Sequence, residues 1–184
     1  MVAVANMSGQ QQDLFEKEKN DPAMIAYLKA LGIDPDYKPP TNDDRRVVIQ
    51  KLEIVFKDGH ESAVLEVETP EQQAAAKKKP MVIKEGSEYK IRVTFRVQHT
   101  LVAGLKIISV VKKMGAELNK EEEMLGSYPP KNEFASVDIG GGDFMEAPKG
   151  AFSRGEYKAH MKFMDDDKAC HLDFEYTIKI SKDW

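Results

Sequence analysis

The sequence predicts an all-β fold, an immunoglobulin-like antiparallel β-sandwich, preceded by a flexible N-terminal arm with one short helix. Three observations predict it. Apolar and polar residues alternate cleanly over Tyr89–Val97, Tyr157–Phe163 and Leu172–Ile180, the period of strands with one buried and one wet face. Turn signals such as Lys57-Asp58-Gly59-His60 and Asp165-Asp166-Asp167-Lys168 separate such runs at hairpin spacing. From Val47 onward no amphipathic helix intervenes, as a sandwich requires. The boundaries expected are an arm over 1–45 and a sandwich over 46–184.

The arm comes first. Residues 1–20 are polar and Gln-rich, a composition that cannot bury enough apolar surface to fold, so disorder is expected there. Asp21 then reads as an N-cap, with Pro22 at the first helical position. Met24, Ile25, Leu28 and Leu31 follow at helical spacing and Gly32 supplies the stop, giving a helix over about 22–31. So short a helix is marginal alone in water, so its apolar stripe must dock, either on its own domain or on a partner. The proline-stiffened linker Ile33–Pro40 favours the partner.

The strands follow in order. Val47–Phe56 reads as a strand whose parity changes near Gln50-Lys51, the mark of a bulge. Ala63, Leu65 and Val67 alternate in the next. Thr69–Pro80 is expected to be a loop, with one helical turn around Ala74–Lys79. Met81–Ile83 leads into Tyr89–Val97. Leu101–Val111 is anomalous, being mostly apolar at both parities; a two-layer sandwich does not need that, so either more protein covers its outer face or something apolar binds there. Lys112–Gly115 turns the chain, Glu121-Glu122-Glu123 is a charged surface run, and Gly126–Gly150 reads as irregular with short strands near Phe134–Ile139. The last two alternating runs complete seven to nine strands.

Composition excludes several classes. The chain has 184 residues, 41% hydrophobic and 32% charged, with net charge −4, which suits a soluble domain and makes nucleic acid an unfavourable partner. Cys170 is the single cysteine, so no internal disulfide forms. With no signal-peptide pattern and no apolar run of membrane-span length, the expectation is a cytosolic protein that is not an integral membrane protein.

Catalytic patterns are weak. His160 and His171 fall at outward parity on adjacent strands, without the further ligands a metal site needs. Cys170 and His171 are strand neighbours and point to opposite faces, which disfavours a thiol–imidazole pair. Gly140-Gly141-Gly142 lacks the context of a phosphate loop. Asp165–Asp167 offers a carboxylate cluster for calcium or, more simply, a solvated turn. No enzyme, metal or cofactor is expected. Binding remains: the apolar excess over Leu101–Val111 and the aromatic pair Phe174 and Tyr176 suggest a sandwich that holds something between its sheets.

Several segments in fixed order carry a resemblance. They are DDRRVVIQKLEIVF, IKEGSEYKIRVTFRVQHTLVAGLKI, LGSYPP and EAPKGAFSRGEYKAHMKFMDDDKACHLDFEYTIKISKDW, with YLKALG in the helix. Together the chain resembles the Rho GDP-dissociation inhibitors over nearly all of residues 21–184. The resemblance implies a monomer that forms a 1:1 heterodimer with a prenylated Rho-, Rac- or Cdc42-type GTPase in its GDP form. The client's geranylgeranyl group would lie between the sheets while the arm contacts the GTPase switch regions. By position, the resemblance assigns the prenyl pocket to Leu52, Ile54, Met81, Tyr89, Ile91, Leu101, Val102, Leu105, Phe174 and Tyr176. It assigns the arm contacts to Asp21, Met24, Ile25, Tyr27, Leu28 and Leu31, and the grip on the client's basic tail to Asp143, Glu146, Asp165 and Asp166. Phe174 and Tyr176 stand where many relatives carry tryptophans. Two alternatives stay open: a general prenyl-binding chaperone, and a calcium-dependent membrane-binding sandwich using Asp165–Asp167.

Overall fold

A computed structural model describes residues 21–30, 32, 34 and 36–184. The N-terminal stretch read above as disordered lies outside the described residues, as does Leu31. The side chains of Met24, Tyr27 and Leu28 are likewise not described. Helix α1 spans Pro22–Ala30. The Asp21 carboxylate accepts from Ala23 N at 2.9 Å, so the N-cap forms as its chemistry dictates, and Gly32 takes φ +73° just past the end.

Two five-stranded sheets pack face to face. The first has the order β2-β1-β4-β7, from Ala63–Glu66, Val47–Phe56, Glu88–Val97 and Ala135–Asp138, with β8 (Met145–Glu146) also pairing β4. The second runs β3-β10-β9-β5-β6, from Met81–Lys84, Cys170–Ser181, Gly155–Met164, Val102–Lys113 and Ala116–Tyr128. Pairing is antiparallel except for β3 with β10. The core lies where the inner faces meet; Leu52, Ile54, Phe95, Phe163 and Phe174 are among its fully buried side chains.

Parity breaks in the sequence become bulges. In β1 the register against β4 shifts between Ile49 and Lys51, as the parity change predicts, and the carbonyl of Gln50 accepts from Val67 N at 2.8 Å. In β5 the register shifts between Val102 and Leu105 and again at Lys106. Gly104 sits there at φ +59°, and a Cβ on it would run into the Asp166 carboxylate. The bulge resets parity: Val102 is buried before it, and Leu105 and Ile107 after it. Part of the apolar excess at both parities is thus one strand changing step. Ile108 and Val110, at the outward parity, remain half-buried.

Two segments differ from the reading above. The chain turns at Met114-Gly115 as expected, but the charged run that follows, and Gly126–Tyr128 after it, belong to a thirteen-residue strand, β6. It is the open edge of its sheet, so charged residues at both parities are tolerated and hide the period of two. The loop at Thr69–Pro80 contains α2, Pro70–Ala76, closed by a capping box in which Thr69 and Gln72 bond each other's backbone N–H. Thr69-Pro70-Glu71-Gln72 is that signal written in sequence.

Candidate functional site: an apolar cavity between the sheets

A cavity of about 230 Å³ opens between the sheets. Tyr89 and Ile91 of β4 form one wall. Opposite them stand Met161 of β9 and Tyr176, Ile178 and Ile180 of β10, with Ser109 and Val111 of β5 beside them. The register makes this wall continuous, since Ser109 pairs Met161, Val111 pairs Ala159 and Ile178 pairs Tyr157 across the strands. Ile139, Met145 and Pro148, from the segment that joins β7 to β9, cover it. Asn119 and Glu121, on the edge strand β6, stand at its polar rim.

The covering segment begins with a run of three glycines and is held by contacts on either side of them. Gly140, Gly141 and Gly142 all take positive φ, at +77°, +68° and +85°, a run that side-chain-bearing residues rarely adopt. The Glu123 carboxylate accepts from Gly140 N at 2.7 Å. The Lys57 and Lys90 ammonium groups lie 5.8 and 5.1 Å from the centre of the Phe144 ring. On the strand before the glycines, Asp138 meets Arg92 and Lys90, each at 2.6 Å. The Arg92 guanidinium chiefly, helped by Lys90, pulls the Asp138 carboxyl down to about 2 against the opposing effect of burial.

Tyrosine hydroxyls are among the few polar groups inside. Tyr176 is buried, and its hydroxyl lies 3.7 Å from Met161 Sδ. Burial pushes its phenol well above the ordinary range, with the nearby Tyr89 adding to the shift. Tyr89 is raised by burial and then by the Glu121 carboxylate. The Tyr176 ring stacks on Phe174, with centroids 6.0 Å apart and planes at 10°. These groups stay neutral, so the cavity suits an apolar chain rather than an ion.

Of the pocket residues assigned above, Tyr89, Ile91 and Tyr176 line this cavity. Leu52, Ile54, Val102, Leu105 and Phe174 are buried in the surrounding core. Met81 is also buried but lines a different hollow, of about 320 Å³, between the sheet edges β2 and β3 beside Phe56, His60 and Trp184. Leu101 is 53% exposed. It precedes β5, and with Val102 turned inward its neighbour must face out. The alternation of β9 and β10 holds the signal for Ala159, Met161, Ile178 and Ile180, which the assignment by resemblance passed over.

The four acidic candidates do not form one cluster. β1 and β4 run the length of the sandwich, with Val47 opposite Val97 at one end and Phe56 opposite Tyr89 at the other. Asp143 and Glu146 lie by the second end, where Met145 pairs Tyr89, and both are exposed. Asp165 and Asp166 lie at the first end, one strand length away, roughly 30 Å. Asp165 is also unavailable. It is buried, its Oδ1 accepts from Ala169 N at 2.9 Å, its Oδ2 lies 2.9 Å from His171 Nε2, and Arg46 approaches at 3.6 Å. The same geometry corrects the outward placement of His171, whose side chain is only 6% exposed; the register shift between Cys170 and Leu172 turns it inward. His160 does face outward, against Asp173 at 2.5 Å. With Asp165 committed, the calcium alternative loses one of its three carboxylates. In the arm, Asp21 is committed to capping α1 and Ile25 is half-buried.

Comparison with known proteins agrees with the segments quoted from the sequence. Residues 4–183 match the family model described as RHO protein GDP dissociation inhibitor. The Rho GDP-dissociation inhibitor of Schizosaccharomyces pombe is 36% identical, covering 96% of this chain and 85% of that protein. A putative rho GDP-dissociation inhibitor 1 of Dictyostelium discoideum is 35% identical over 93% and 86%. Rho GDP-dissociation inhibitor 1 of Homo sapiens is 33% identical over 94% and 82%. A family model matched over almost the entire chain, with relatives at these identities, places the protein in the Rho GDP-dissociation inhibitor family.

Proposed function

We propose that this chain inhibits GDP dissociation from a prenylated Rho-family GTPase and lifts it from membranes by taking its lipid into the intersheet cavity. The observation that carries this reading is the neutral, apolar cavity walled by the inner faces of both sheets, in a chain of this family. A geranylgeranyl group of about twenty carbons, at ~0.8 kcal/mol per buried CH₂, represents on the order of 10 kcal/mol or more of gross burial. Only a comparably apolar site competes with a bilayer for it. At about 230 Å³ the cavity is below the ~300–1,000 Å³ usual for pockets that enclose a sizeable ligand. Loading therefore widens it, and the glycine-hinged cover supplies the slack.

The protein acts as a regulator, in the cytosol, as one copy bound to one GDP-loaded client. Residues 1–45 form a separable arm whose helix meets the GTPase switch regions, adding a second contact at high effective concentration. Asp143 and Glu146, with Glu121 at the rim, receive the basic segment before the client's prenylated cysteine. Asp166, at the far end, belongs to a separate contact.

The deciding experiment is extraction of geranylgeranylated, GDP-loaded Rho or Rac from liposomes, with nucleotide exchange followed in parallel. Extraction should rise with added protein and exchange should slow. Equal affinity for the unprenylated GTPase would overturn the cavity's role.

A further inference from the structure

Nine large apolar side chains are left exposed among the described residues, and five of them gather at one end of the sandwich, while Val64, Leu101, Met124 and Trp184 lie elsewhere. Met114, Leu118, Phe144, Met145 and Phe152 all remain in solvent, and all lie on the three segments that frame the cavity: the β5–β6 hairpin, the cover, and the loop before β9. Two of them are extreme. Met114 is 98% and Phe152 99% exposed. Single exposed apolar residues need no explanation, whereas a group around one opening does.

These two are also built in place. Met114 and Gly115 take φ +51° and +82°, a tight two-residue turn that fixes the hairpin tip. The preceding Lys113 reaches across to the other loop, where its ammonium donates to Phe152 O at 2.6 Å and to Arg154 O at 3.0 Å. It also sits 4.6 Å from the centre of the Tyr157 ring, inside the cavity wall. Glu85 braces the second loop, taking Gly150 N at 3.0 Å and Arg154 at 2.6 Å. Glu146 pairs Lys149. The two tips are thus locked to each other and to the cavity wall.

We propose that Met114 and Phe152, with Leu118 beside them, form a bilayer-docking tip that seats the cavity mouth against the membrane. The side chains enter the boundary between headgroups and acyl chains, so that a client's lipid passes into the cavity with little exposure to water. The occupant is a bilayer rather than a protein because the apolar groups stand on two separate loop tips, not along a groove, and because they continue the lining of a site read as lipid-binding. The inference rests on that reading.

The test uses the full chain and its Met114→Ser/Phe152→Ser variant with phosphatidylcholine vesicles carrying geranylgeranylated, GDP-loaded GTPase. The variant should extract the client at least about tenfold more slowly, the scale expected from withdrawing two buried apolar side chains. Its affinity for a geranylgeranylated peptide in solution should change less than twofold. In a Phe152→Trp/Trp184→Phe variant without client, brominated acyl chains should quench the new tryptophan. Unchanged extraction, or no quenching, overturns the docking tip. A variant that loses affinity for the unprenylated GTPase, or a wild-type dimer that the variant lacks, also overturns it by assigning the tips to a protein surface. Failure of wild-type protein to bind the peptide, with quenching intact, instead sinks the cavity reading and leaves the tip standing.

Discussion

Asp165 Oδ2 lies 2.9 Å from His171 Nε2, and both side chains are almost wholly withdrawn from water. Burial alone would raise the Asp165 carboxyl; the Ala169 N–H, then His171 and Arg46, outweigh it and the net shift is downward. Asp165→Asn keeps an oxygen for Ala169 but removes the charge that His171 and Arg46 face. It should cost about 1–3 kcal/mol in urea unfolding at pH 7 while leaving affinity for a geranylgeranylated peptide intact. A stability-neutral variant that lost tail binding would return Asp165 to the client surface.

Asp138 tests the acid limb. Its carboxyl is held at about 2 in the folded chain, below the ordinary value near 4. A depressed folded value means that its contribution is complete above the unfolded pKa and is lost as pH falls through the folded one. The stability gap between wild type and Asp138→Asn should stay level from neutral pH to about 5, then close toward pH 2. A gap that widened on acidification would contradict the sign.

Gly104 carries two constraints, its positive φ and the Asp166 carboxylate where a Cβ would go. Gly104→Ala should destabilise by about 1–3 kcal/mol in denaturant titration. In an Asp166→Ala background only the steric part should be recovered. Full recovery would mean that the backbone conformation costs nothing there.

The cavity can be filled from β5. Ser109→Trp projects a large ring into it and should abolish extraction of a prenylated client while circular dichroism stays β-rich. Leu101→Ala, outside the cavity, should extract as wild type does. If the two variants behaved alike, the lipid would lie elsewhere.

Half-buried Glu123 holds the cover at Gly140 through a solvent-exposed hydrogen bond. Removing it with Glu123→Ala should speed stopped-flow uptake of a fluorescent prenyl peptide by roughly twofold to tenfold, the net scale of one ordinary hydrogen bond, since solvent screens this one. A slower rate would show that the bond favours the open state.

How much of this was legible in the sequence depends on local pattern. Alternation found β4, β9 and β10, and the parity change found the β1 bulge. The same logic misread β5, because one glycine bulge and a doubly apolar strand look alike until the partner strands fix the register. It missed β6, because an edge strand buries too little to impose a period. The capping box Thr69-Pro70-Glu71-Gln72 is a purely local signal, and it marks the start of α2 where composition suggests only a loop. Of the pocket residues, Tyr89, Ile91 and Tyr176 line the cavity whereas Leu101 faces solvent, and Asp165, assigned to the client's basic tail, is buried against His171. Whether a given apolar residue faces the void or the packed core beside it, and whether an aspartate meets solvent or a histidine, is decided by long-range packing.

The thirteen-residue edge strand β6 has one more consequence. If, as proposed, the sheets part to admit a lipid, the sandwich exposes its interior each time, beside unpaired backbone N–H and C=O groups that invite another chain to add a strand. Along this edge stand Glu117, Lys120, Glu121, Glu122 and Glu123, and stacking a second copy would bring like charges together and desolvate them. The charged edge thereby guards such an open form against polymerising through the seam it exposes.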